Sequence, residues 1–493
     1  MPLVDEINEL VENWLKDTKL GKIGKPKNIR DALTGTFVLR EYEINILDLP
    51  MVQRLRRIGQ TALASLTYPC TSHNRFQHTL GVTNIIERMV DGLRCRKEYA
   101  DLLDENNLKE LRLAALLHDV GHGPFSHASE EIMEQLPEVQ NELVGNPKFS
   151  HIQSKPHEML SYFIVSSDAF RKIIKQMNDI YAINVDATRV ANIIVGDMDE
   201  PEREGFISDF LNGPFDADKL DYMPRDAYFS GLKMEVDLDR IAHTCLVDLR
   251  GGSNLRRLCS DISGAHNLEQ ILFNKILLYS SMYHHHKVRA ALCMLKSIFE
   301  IIWDNNLEID GISFKKAADF LLIDDFDILS TFRKEPLLKD VIEDIRDRRL
   351  LKRALVMSRK TAKDRYHFGK LTKLMEDPTE IRHLRELIAD ELKAKGCGLS
   401  VYDIWIDLPK PPSLREPSQC KVRITDKDYV DLAEVFPADW WLVAYSETKW
   451  KGHVFCPPQL ETRELVNKAA LKVFESIEGI EFLPTATDEA KIG

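Results

Sequence analysis

Four titratable side chains lie close together in the stretch 118–127. His118 and Asp119 are adjacent, and His122 and His127 follow within nine positions. Imidazole nitrogens bind transition-metal ions, and carboxylate oxygens also bind harder divalent ions. An isolated His-Asp pair is weak evidence, but a cluster of buried histidines needs partners for its polar atoms. The stretch therefore predicts a metal site, provided that the rest of the chain supplies further ligands.

The apolar run 111–117 predicts the buried helix that presents this cluster. The sequence Gly-His-Gly-Pro at 121–124 favours the end of that helix and a turn after it. Adjacent residues of a helix point about 100° apart, so His118 and Asp119 can bind one ion only if it lies between their directions. The end of a helix leaves room for that convergence.

The composition bounds the class of protein. The chain has 493 residues, enough for two or three domains, and its 44% hydrophobic and 29% charged content is typical of a soluble globular protein. The net charge of −12 argues against general nucleic-acid binding, which depends on neutralising phosphates. An anionic substrate must therefore meet a local cluster of Lys and Arg.

The eight cysteines form no Cys-x-x-Cys pair, so zinc-finger and thioredoxin sites are not predicted. We expect free thiols in a reducing compartment. The sequence shows neither a signal-peptide core nor an apolar run of about 20 residues. A cytoplasmic protein without membrane or nucleic-acid partners is therefore expected.

Apolar periodicity predicts a mainly α fold. Helical segments are predicted at 46–66, from about 75 to 93, and at 156–180, 187–196, 265–302 and 340–396. The stretch 216–231 predicts a helical turn kinked at Pro224. If it is helical, Asp218, Tyr222 and Asp226 share one stripe at four-residue spacing.

The pattern changes near residue 400. The stretches 401–409, 421–425 and 441–445 are typical of strands, and 461–477 of a helix. We therefore predict an N-terminal segment over 1–45, a helical catalytic body over 46–399 and a small α/β region over 400–493.

Two more candidate ligands complete the order H…HD…D along the chain, namely His78 before the His118–Asp119 pair and Asp218 after it. With its flanking blocks, this order resembles the HD-domain deoxynucleoside triphosphate triphosphohydrolase family, within the HD phosphohydrolases. The blocks are Asp-Leu-Pro-Met-Val-Gln-Arg-Leu-Arg-Arg-Ile at 48–58, Ser-His-Asn-Arg-Phe-Gln-His-Thr-Leu-Gly-Val at 72–82, Leu-His-Asp-Val-Gly-His-Gly-Pro-Phe-Ser-His at 117–127, and Asp-Lys-Leu-Asp-Tyr-Met-Pro-Arg-Asp at 218–226. The resemblance covers most of 30–365, and Asp-Leu-Pro-Lys-Pro-Pro at 407–412 is similar to the tail of the bacterial branch.

The resemblance implies an HD-domain helical body in which four residues hold one divalent metal ion: His78, His118, Asp119 and Asp218. Two imidazoles and two carboxylates leave coordination positions of the metal ion open for water and a phosphate oxygen. Such a site can polarise a phosphoryl oxygen and lower the pKa of a bound water. The ligand set does not choose among Mn, Fe, Ni, Zn and Mg, and Mg²⁺ is also expected with a bound nucleotide.

The resemblance also assigns roles around the metal. His122 and His127 lie beside the phosphate, and one of them is the general acid, a role that suits a pKa near neutrality. Glu130 orients His127, and His157 is a further histidine on the phosphate side. The implied phosphate contacts are Arg75 and Lys219, and the implied sugar contacts are Gln60, Tyr222 and Asp226. Tyr222 is the candidate that crowds the 2′ position and so favours deoxyribose.

One departure from the family pattern concerns the segment Tyr283-His-His-His-Lys287, where the family has Tyr-x-His-Lys. Alignment on the tyrosines, with Tyr279 and Tyr283 in register, places Tyr283 at the sugar and Lys275 at a phosphate position. Alignment on Lys287 shifts every assignment by one residue. We prefer the first alignment.

The implied activity is metal-dependent hydrolysis of deoxynucleoside triphosphates (dNTPs) to deoxynucleoside and triphosphate. Two alternatives stay open: a phosphomonoesterase or phosphodiesterase that acts on another nucleotide, and a non-catalytic nucleotide-sensing protein. The same fold and ligand set serve all of these functions.

The resemblance further implies activation by dGTP or GTP at a subunit interface of a homotetramer. Asp48, Gln53 and Arg56 match the spacing of the family's guanine-reading residues. An aspartate can accept from the N1 and N2 hydrogens of guanine, and an arginine can donate to O6 or N7. Arg348 and Lys352 lie four apart on a predicted helix and resemble the pair that contacts the effector phosphates. The alternative is that these charged side chains only form the solvent-exposed faces of helices.

Overall fold

The computed structural model of the chain describes residues 2–99, 101–197, 205–250, 256–412, 415–437, 444 and 447–491. Helices dominate it. In chain order they are α1 Leu3–Leu15, α2 Glu41–Leu47, α3 Pro50–Gln53, α4 Arg75–Arg94, α5 Glu105–Leu117, α6 His127–Met133, α7 Pro137–Gly145, α8 Pro147–Ser150, α9 Pro156–Ser166, α10 Asp168–Tyr181, α11 Ala187–Val195, α12 Gly205–Asn212, α13 Ala217–Ser230, α14 Leu238–Thr244, α15 Ala265–Leu278, α16 His286–Asp304, α17 Asp325–Ser330, α18 Pro336–Arg346, α19 Arg365–Leu374, α20 Pro378–Ala394, α21 Glu416–Gln419, α22 Leu432–Val435, α23 Leu460–Val473 and α24 Thr485–Lys491.

The strands form three small sheets. They are β1 Lys27–Asp31, β2 Gly35–Leu39, β3 Cys245–Val247, β4 Leu258–Asp261, β5 Lys352–Met357, β6 Trp405–Asp407, β7 Lys421–Thr425, β8 Asp428–Asp431 and β9 Gly452–Cys456. β1 and β2 form a hairpin, a second sheet has the order β3-β4-β7-β8, and a third has the order β5-β9-β6. The pair β4–β7 is parallel, and every other pair is antiparallel. This confirms the predicted mainly helical fold with a small α/β region towards the C-terminal end.

Two hydrophobic cores organise these elements. The larger draws on residues between Leu3 and Leu350 and also on Cys420, Val422 and Leu432. The smaller draws on residues between Ala354 and Ala486. It therefore uses residues on both sides of position 400, and β7 returns to pair with β4 of the larger unit. The domain boundary at 400 stays a prediction.

Four of the helical segments expected from periodicity are interrupted, and that at 156–180 is divided between α9 and α10 at Ser167. The segment 46–66 contains the end of α2, the short α3 and two 3₁₀ turns. The helix expected over 265–302 is divided, because a π turn over Tyr279–Tyr283 separates α15 from α16. The helix predicted to carry Arg348 and Lys352, within the segment 340–396, is wrong, because Arg348 has a φ of 59° and a buried strand begins at Lys352. Arg348 and Lys352 therefore do not share a helix face.

Three further expectations concern a C-terminal strand, the cysteines and membrane-spanning helices. The predicted strand at 441–445 lies, apart from Ala444, outside the described residues. All eight cysteines are free thiols. Among the helices that the structure describes, none combines the length and the apolarity that crossing a membrane requires.

Candidate metal and phosphate site

The four predicted metal ligands come from three separate helical segments and converge. His78 lies on α4, His118 and Asp119 follow α5, and Asp218 lies in the first turn of α13. The Nε2 atom of His78 is 2.9 Å from Asp218 Oδ1 and 3.8 Å from Asp119 Oδ2. The Nε2 atom of His118 is 3.4 Å from Asp119 Oδ1 and 3.9 Å from Asp218 Oδ1. Two imidazole nitrogens therefore face two carboxylates around one point.

Local sequence fixes the helices that bring these residues together. Asn74 caps α4, since its side chain accepts from the Gln77 N–H at 3.1 Å. Asp216 caps α13 by accepting from the Lys219 N–H at 2.8 Å, and this helix continues through Pro224. Glycine lets α4 and α13 approach closely, because a Cβ at Gly81 would lie 1.9 Å from Asp221 Oδ1.

Both histidines of the cluster are oriented through their other nitrogen. His78 Nδ1 lies 2.8 Å from Asp221 Oδ2, and His118 Nδ1 lies 2.8 Å from the Ala115 carbonyl oxygen. The buried Nε2 atom of His118 has no hydrogen-bond partner within the described part of the chain, and that of His78 faces Asp218 Oδ1. Metal-binding histidines typically bond a carboxylate or carbonyl in this way and direct the free nitrogen at the ion. The residues therefore fit a divalent cation.

Electrostatics at the cluster also favours a cation. Burial lowers the pKa of His78, but hydrogen bonds to Asp218 and Asp221 outweigh it and raise the pKa to about 10. Burial raises the pKa of Asp119, but the Arg75 guanidinium and two neighbouring histidines bring it well below its ordinary value. The carboxylate is ionised, and the site attracts positive charge.

A second histidine cluster adjoins the first. The rings of His122 and His157 stack with centroids 3.8 Å apart, and His122 Nε2 lies 3.3 Å from Asp119 Oδ1. Glu130 bridges the group, because one carboxylate oxygen bonds His127 Nδ1 and the other bonds His157 Nδ1. The side chain of His127 is 60% exposed, so a ligand can reach it.

The pKa values of the two stacked rings are shifted in opposite directions. Burial lowers the pKa of both, but the Glu130 carboxylate reverses this for His157 and raises its pKa above the ordinary value. Burial, Arg75 and His157 hold the pKa of His122 well below its ordinary value. The cluster therefore favours a proton on His157 over one on His122.

Arg75 links the two clusters. Its Nη1 atom donates to Asp119 Oδ2 at 3.0 Å, and its Nε atom donates to Ser126 Oγ at 2.8 Å. The buried Nη2 atom has no hydrogen-bond partner among the residues that the structure describes. A guanidinium in this position can donate to a phosphate oxygen.

The predicted sugar-side residues surround Asp226. Tyr283 donates its hydroxyl hydrogen to Asp226 Oδ2, and His73 Nε2 lies 2.7 Å from Asp226 Oδ1. The contact from Tyr283 supports the alignment on the tyrosines. Gln60 is adjacent, since its N–H donates to the His73 carbonyl at 3.1 Å. Tyr222 is half-buried one turn before Asp226.

The two predicted phosphate lysines are held by carboxylates. Lys219 donates to the Gly213 carbonyl at 3.0 Å and pairs with Asp216. Lys275 pairs with Glu416 of α21, and both side chains are buried. Sequence reasoning missed Glu416, which lies 141 positions away. It also missed His73, although His73 stands inside the quoted block 72–82.

The predicted effector residues form two separate groups on the surface. Arg56 Nε donates to Gln53 Oε1 at 2.8 Å, and its guanidinium lies 3.6 Å from the centre of the Phe76 ring. Asp48 is exposed at the end of α2. Arg348 Nε donates to the Leu66 carbonyl at 2.5 Å, and Lys352 opens β5. No hydrogen bond or ion pair joins the two groups across the described ranges.

Comparison with known proteins agrees with this geometry. A family model described as "HD domain" matches residues 75–223, and one described as "HD associated region" matches 243–478. The chain is 26% identical over 399 residues to "Deoxynucleoside triphosphate triphosphohydrolase SAMHD1 homolog" of Dictyostelium discoideum, covering 79% of this chain and 68% of that protein.

Two further relatives extend the comparison. An uncharacterized protein of Methanocaldococcus jannaschii is 26% identical over 88% of this chain and 80% of its own length. "Deoxynucleoside triphosphate triphosphohydrolase SAMHD1" of Homo sapiens is 27% identical over 66% of this chain. The chain spans only 54% of that human protein. Both family models fall on segments that carry the site, so the chain contains an HD domain followed by an HD-associated region.

Proposed function

We propose that the protein hydrolyses dNTPs to deoxynucleoside and triphosphate in the presence of a divalent metal ion. The observation that carries this proposal is the convergence of His78, His118, Asp119 and Asp218 beside the second histidine cluster. The relatives from Dictyostelium and human are named as dNTP triphosphohydrolases, which supports the choice of substrate.

The four ligands would hold one divalent ion, to which His78 and His118 would each contribute the Nε2 atom that faces the two carboxylates. When bound, such an ion polarises phosphate oxygens and lowers the pKa of water. In the overall reaction a water oxygen bonds to the α-phosphorus, the bond to the 5′-oxygen breaks, and the 5′-oxygen takes a proton.

The second cluster would supply that proton. The Nδ1 atom of His127 is occupied by Glu130, so its Nε2 atom can carry the proton for the leaving 5′-oxygen. His157, when protonated, and the free Nη2 atom of Arg75 would neutralise phosphate oxygens. His122 stacks on His157 and contacts Asp119 through Nε2, so it would hold these two residues in place.

The sugar would lie between α13 and the π turn. The Asp226 carboxylate, already held by Tyr283 and His73, would accept from a sugar hydroxyl. Tyr222 would occupy the volume that a 2′-hydroxyl requires, which favours deoxyribose over ribose. Lys219 and Lys275 would reach the distal phosphates.

Activation by dGTP or GTP at an interface of a homotetramer belongs to the same proposal. Asp48, Gln53 and Arg56 would read guanine on one subunit, and Arg348 and Lys352 would contact the effector phosphates. If so, turnover rises sigmoidally with dGTP or GTP, and Arg56→Ala flattens that response while the metal content is unchanged. Hyperbolic kinetics from a protein that sediments as a monomer throughout would contradict activation.

One assay decides the reaction. Purified protein is incubated with dGTP and Mn²⁺ or Mg²⁺, and the products are separated by ion-exchange chromatography. Release of inorganic triphosphate supports the proposal. Pyrophosphate or single phosphate favours the alternative of another HD phosphohydrolase reaction. No turnover with any of the four dNTPs, by metal-loaded protein with an effector nucleotide present, favours a sensing protein.

A further inference from the structure

Asp325, the first residue of α17, joins two backbone segments that are distant in sequence. Its Oδ1 atom accepts a hydrogen bond from the Phe125 N–H at 2.6 Å. Its Oδ2 atom accepts one from the Gly59 N–H at 2.8 Å. One carboxylate therefore ties the segment before α4 to the turn that leads into α6.

The turn before α6 has an unusual backbone. Phe125 and Ser126 are both buried and have φ values of 58° and 54°, a region that residues other than glycine rarely adopt. Ser126 Oγ donates to the Gly59 carbonyl at 2.7 Å. Such a conformation persists only where its surroundings hold it. Asp325 holds the N–H group of the first of these two residues.

The segment 54–59 contacts the same turn at a second place. Arg54, which is buried, donates through Nη2 to the His122 carbonyl at 2.5 Å. The neighbouring Arg57 pairs with Asp324, which precedes α17. Gly59 permits the close approach of the carboxylate, because a Cβ there would lie 3.1 Å from Asp325 Oδ2. The turn, α17 and the segment 54–59 therefore form one connected unit.

We propose that Asp325 is a positioning residue that fixes the turn 122–127, and with it the imidazole of His127, relative to the segment 54–59. This rests on the proposed function, because His127 is the proton donor there. Asp325 acts through two backbone N–H groups and is not itself placed against the substrate. The same carboxylate connects the segment that contains the predicted effector residue Arg56 to the turn that precedes the proton donor.

The test compares Asp325→Ala and Asp325→Asn with the wild-type protein. Loss of both hydrogen bonds lowers kcat, since a small misplacement of a catalytic group costs about 10²-fold, while KM and the bound metal stay unchanged. Asparagine keeps one acceptor oxygen, so its loss of kcat is smaller. Hydrogen exchange of peptides covering 57–61 and 122–130 becomes faster in both variants.

The matched control is Asp327→Ala on the same helix, which removes only the cap bond from the Asp324 N–H and leaves kcat unchanged. A kcat within about twofold of wild type for Asp325→Ala, with unchanged exchange, overturns the proposal. If Asp325→Ala does not fold, the same criterion is applied to Asp325→Asn. If the wild type releases no triphosphate, the proposed function fails, and the exchange measurement alone decides whether Asp325 holds the turn.

Discussion

The Nδ1 atom of His78 lies 2.8 Å from Asp221 Oδ2, and Arg225 Nε donates to the same oxygen at 2.7 Å. The carboxylate thereby fixes the ring so that its Nε2 atom faces Asp119 and Asp218. Asp221 is 1% exposed, so this orientation does not depend on solvent. Metal affinity should therefore depend on Asp221 although it is not one of the four ligands.

We expect Asp221→Asn to weaken metal binding by about 10–100-fold, as loss of a partner of a metal-bound histidine does. Asparagine keeps the volume beside Gly81, so the helices still pack. The measurement is competitive titration of Mn²⁺ against a chelator. Asp239→Asn, a change of an exposed aspartate that pairs with Arg88, serves as the control. An unchanged metal Kd for Asp221→Asn would contradict this role.

The ligand assignment itself is tested by His118→Ala and Asp119→Ala. We expect both variants to lose the metal and turnover while circular dichroism shows a folded protein, since each removes one donor of a single site. His127→Ala should keep the metal and lose about 10²–10⁴-fold in rate, the usual contribution of a general acid. Stoichiometric metal in both ligand variants, measured by elemental analysis, would show that the assignment is wrong.

How much of the site could be predicted depends on how far apart in the sequence the contacting residues lie. The resemblance of the H…HD…D order and its flanking blocks to a known family implied the four residues whose atoms converge, because the chemistry of the ligands limits their residue types. Asp325 and Glu416 carry no such signal, since they reach the site from 266 and 141 positions away. The π turn at Tyr279–Tyr283 and the left-handed Arg348 were also missed. A local interruption of a helix leaves the spacing of the apolar residues nearly unchanged, so apolar periodicity does not detect it.

We expect Tyr222→Ala to narrow the preference for dNTPs over ribonucleotides, because it empties the volume proposed to exclude the 2′-hydroxyl. The measurement is the ratio of kcat/KM for dGTP and GTP. Tyr222→Phe keeps the ring and should retain the ratio. An unchanged ratio in folded Tyr222→Ala would indicate that the ring only packs against α15 and the π turn.

The free energy of unfolding should depend on pH through the titration of Glu110, a buried residue of α5. Burial raises its pKa from 4.5 to about 7, despite the Asp186 N–H and Arg189. Between these values the folded chain holds a proton that the unfolded chain has released, so stability falls as pH rises through this window. For a shift of this size the loss is about 3 kcal/mol.

Urea unfolding of wild type and Glu110→Gln at several pH values from about 4.5 to 7 measures this effect. Glutamine cannot titrate at this position. As pH rises, the wild type should therefore lose stability relative to Glu110→Gln. Glu105→Gln, on an exposed residue of the same helix, should follow the wild type. Parallel curves for wild type and Glu110→Gln would contradict the raised pKa.

The pair formed by Lys275 and Glu416 predicts an effect on substrate affinity. Both side chains are buried, and burial lowers the pKa of Lys275 even though the carboxylate favours its charged form. A polyphosphate that reaches Lys275 must compete with this carboxylate. We expect Glu416→Gln to lower KM for dNTPs by about tenfold, which corresponds to about 1.4 kcal/mol, whereas Lys275→Ala should raise it. Glu434→Gln, an exposed residue of the neighbouring α22, provides the control. An unchanged or higher KM in folded Glu416→Gln would show that Glu416 does not compete with the substrate phosphates.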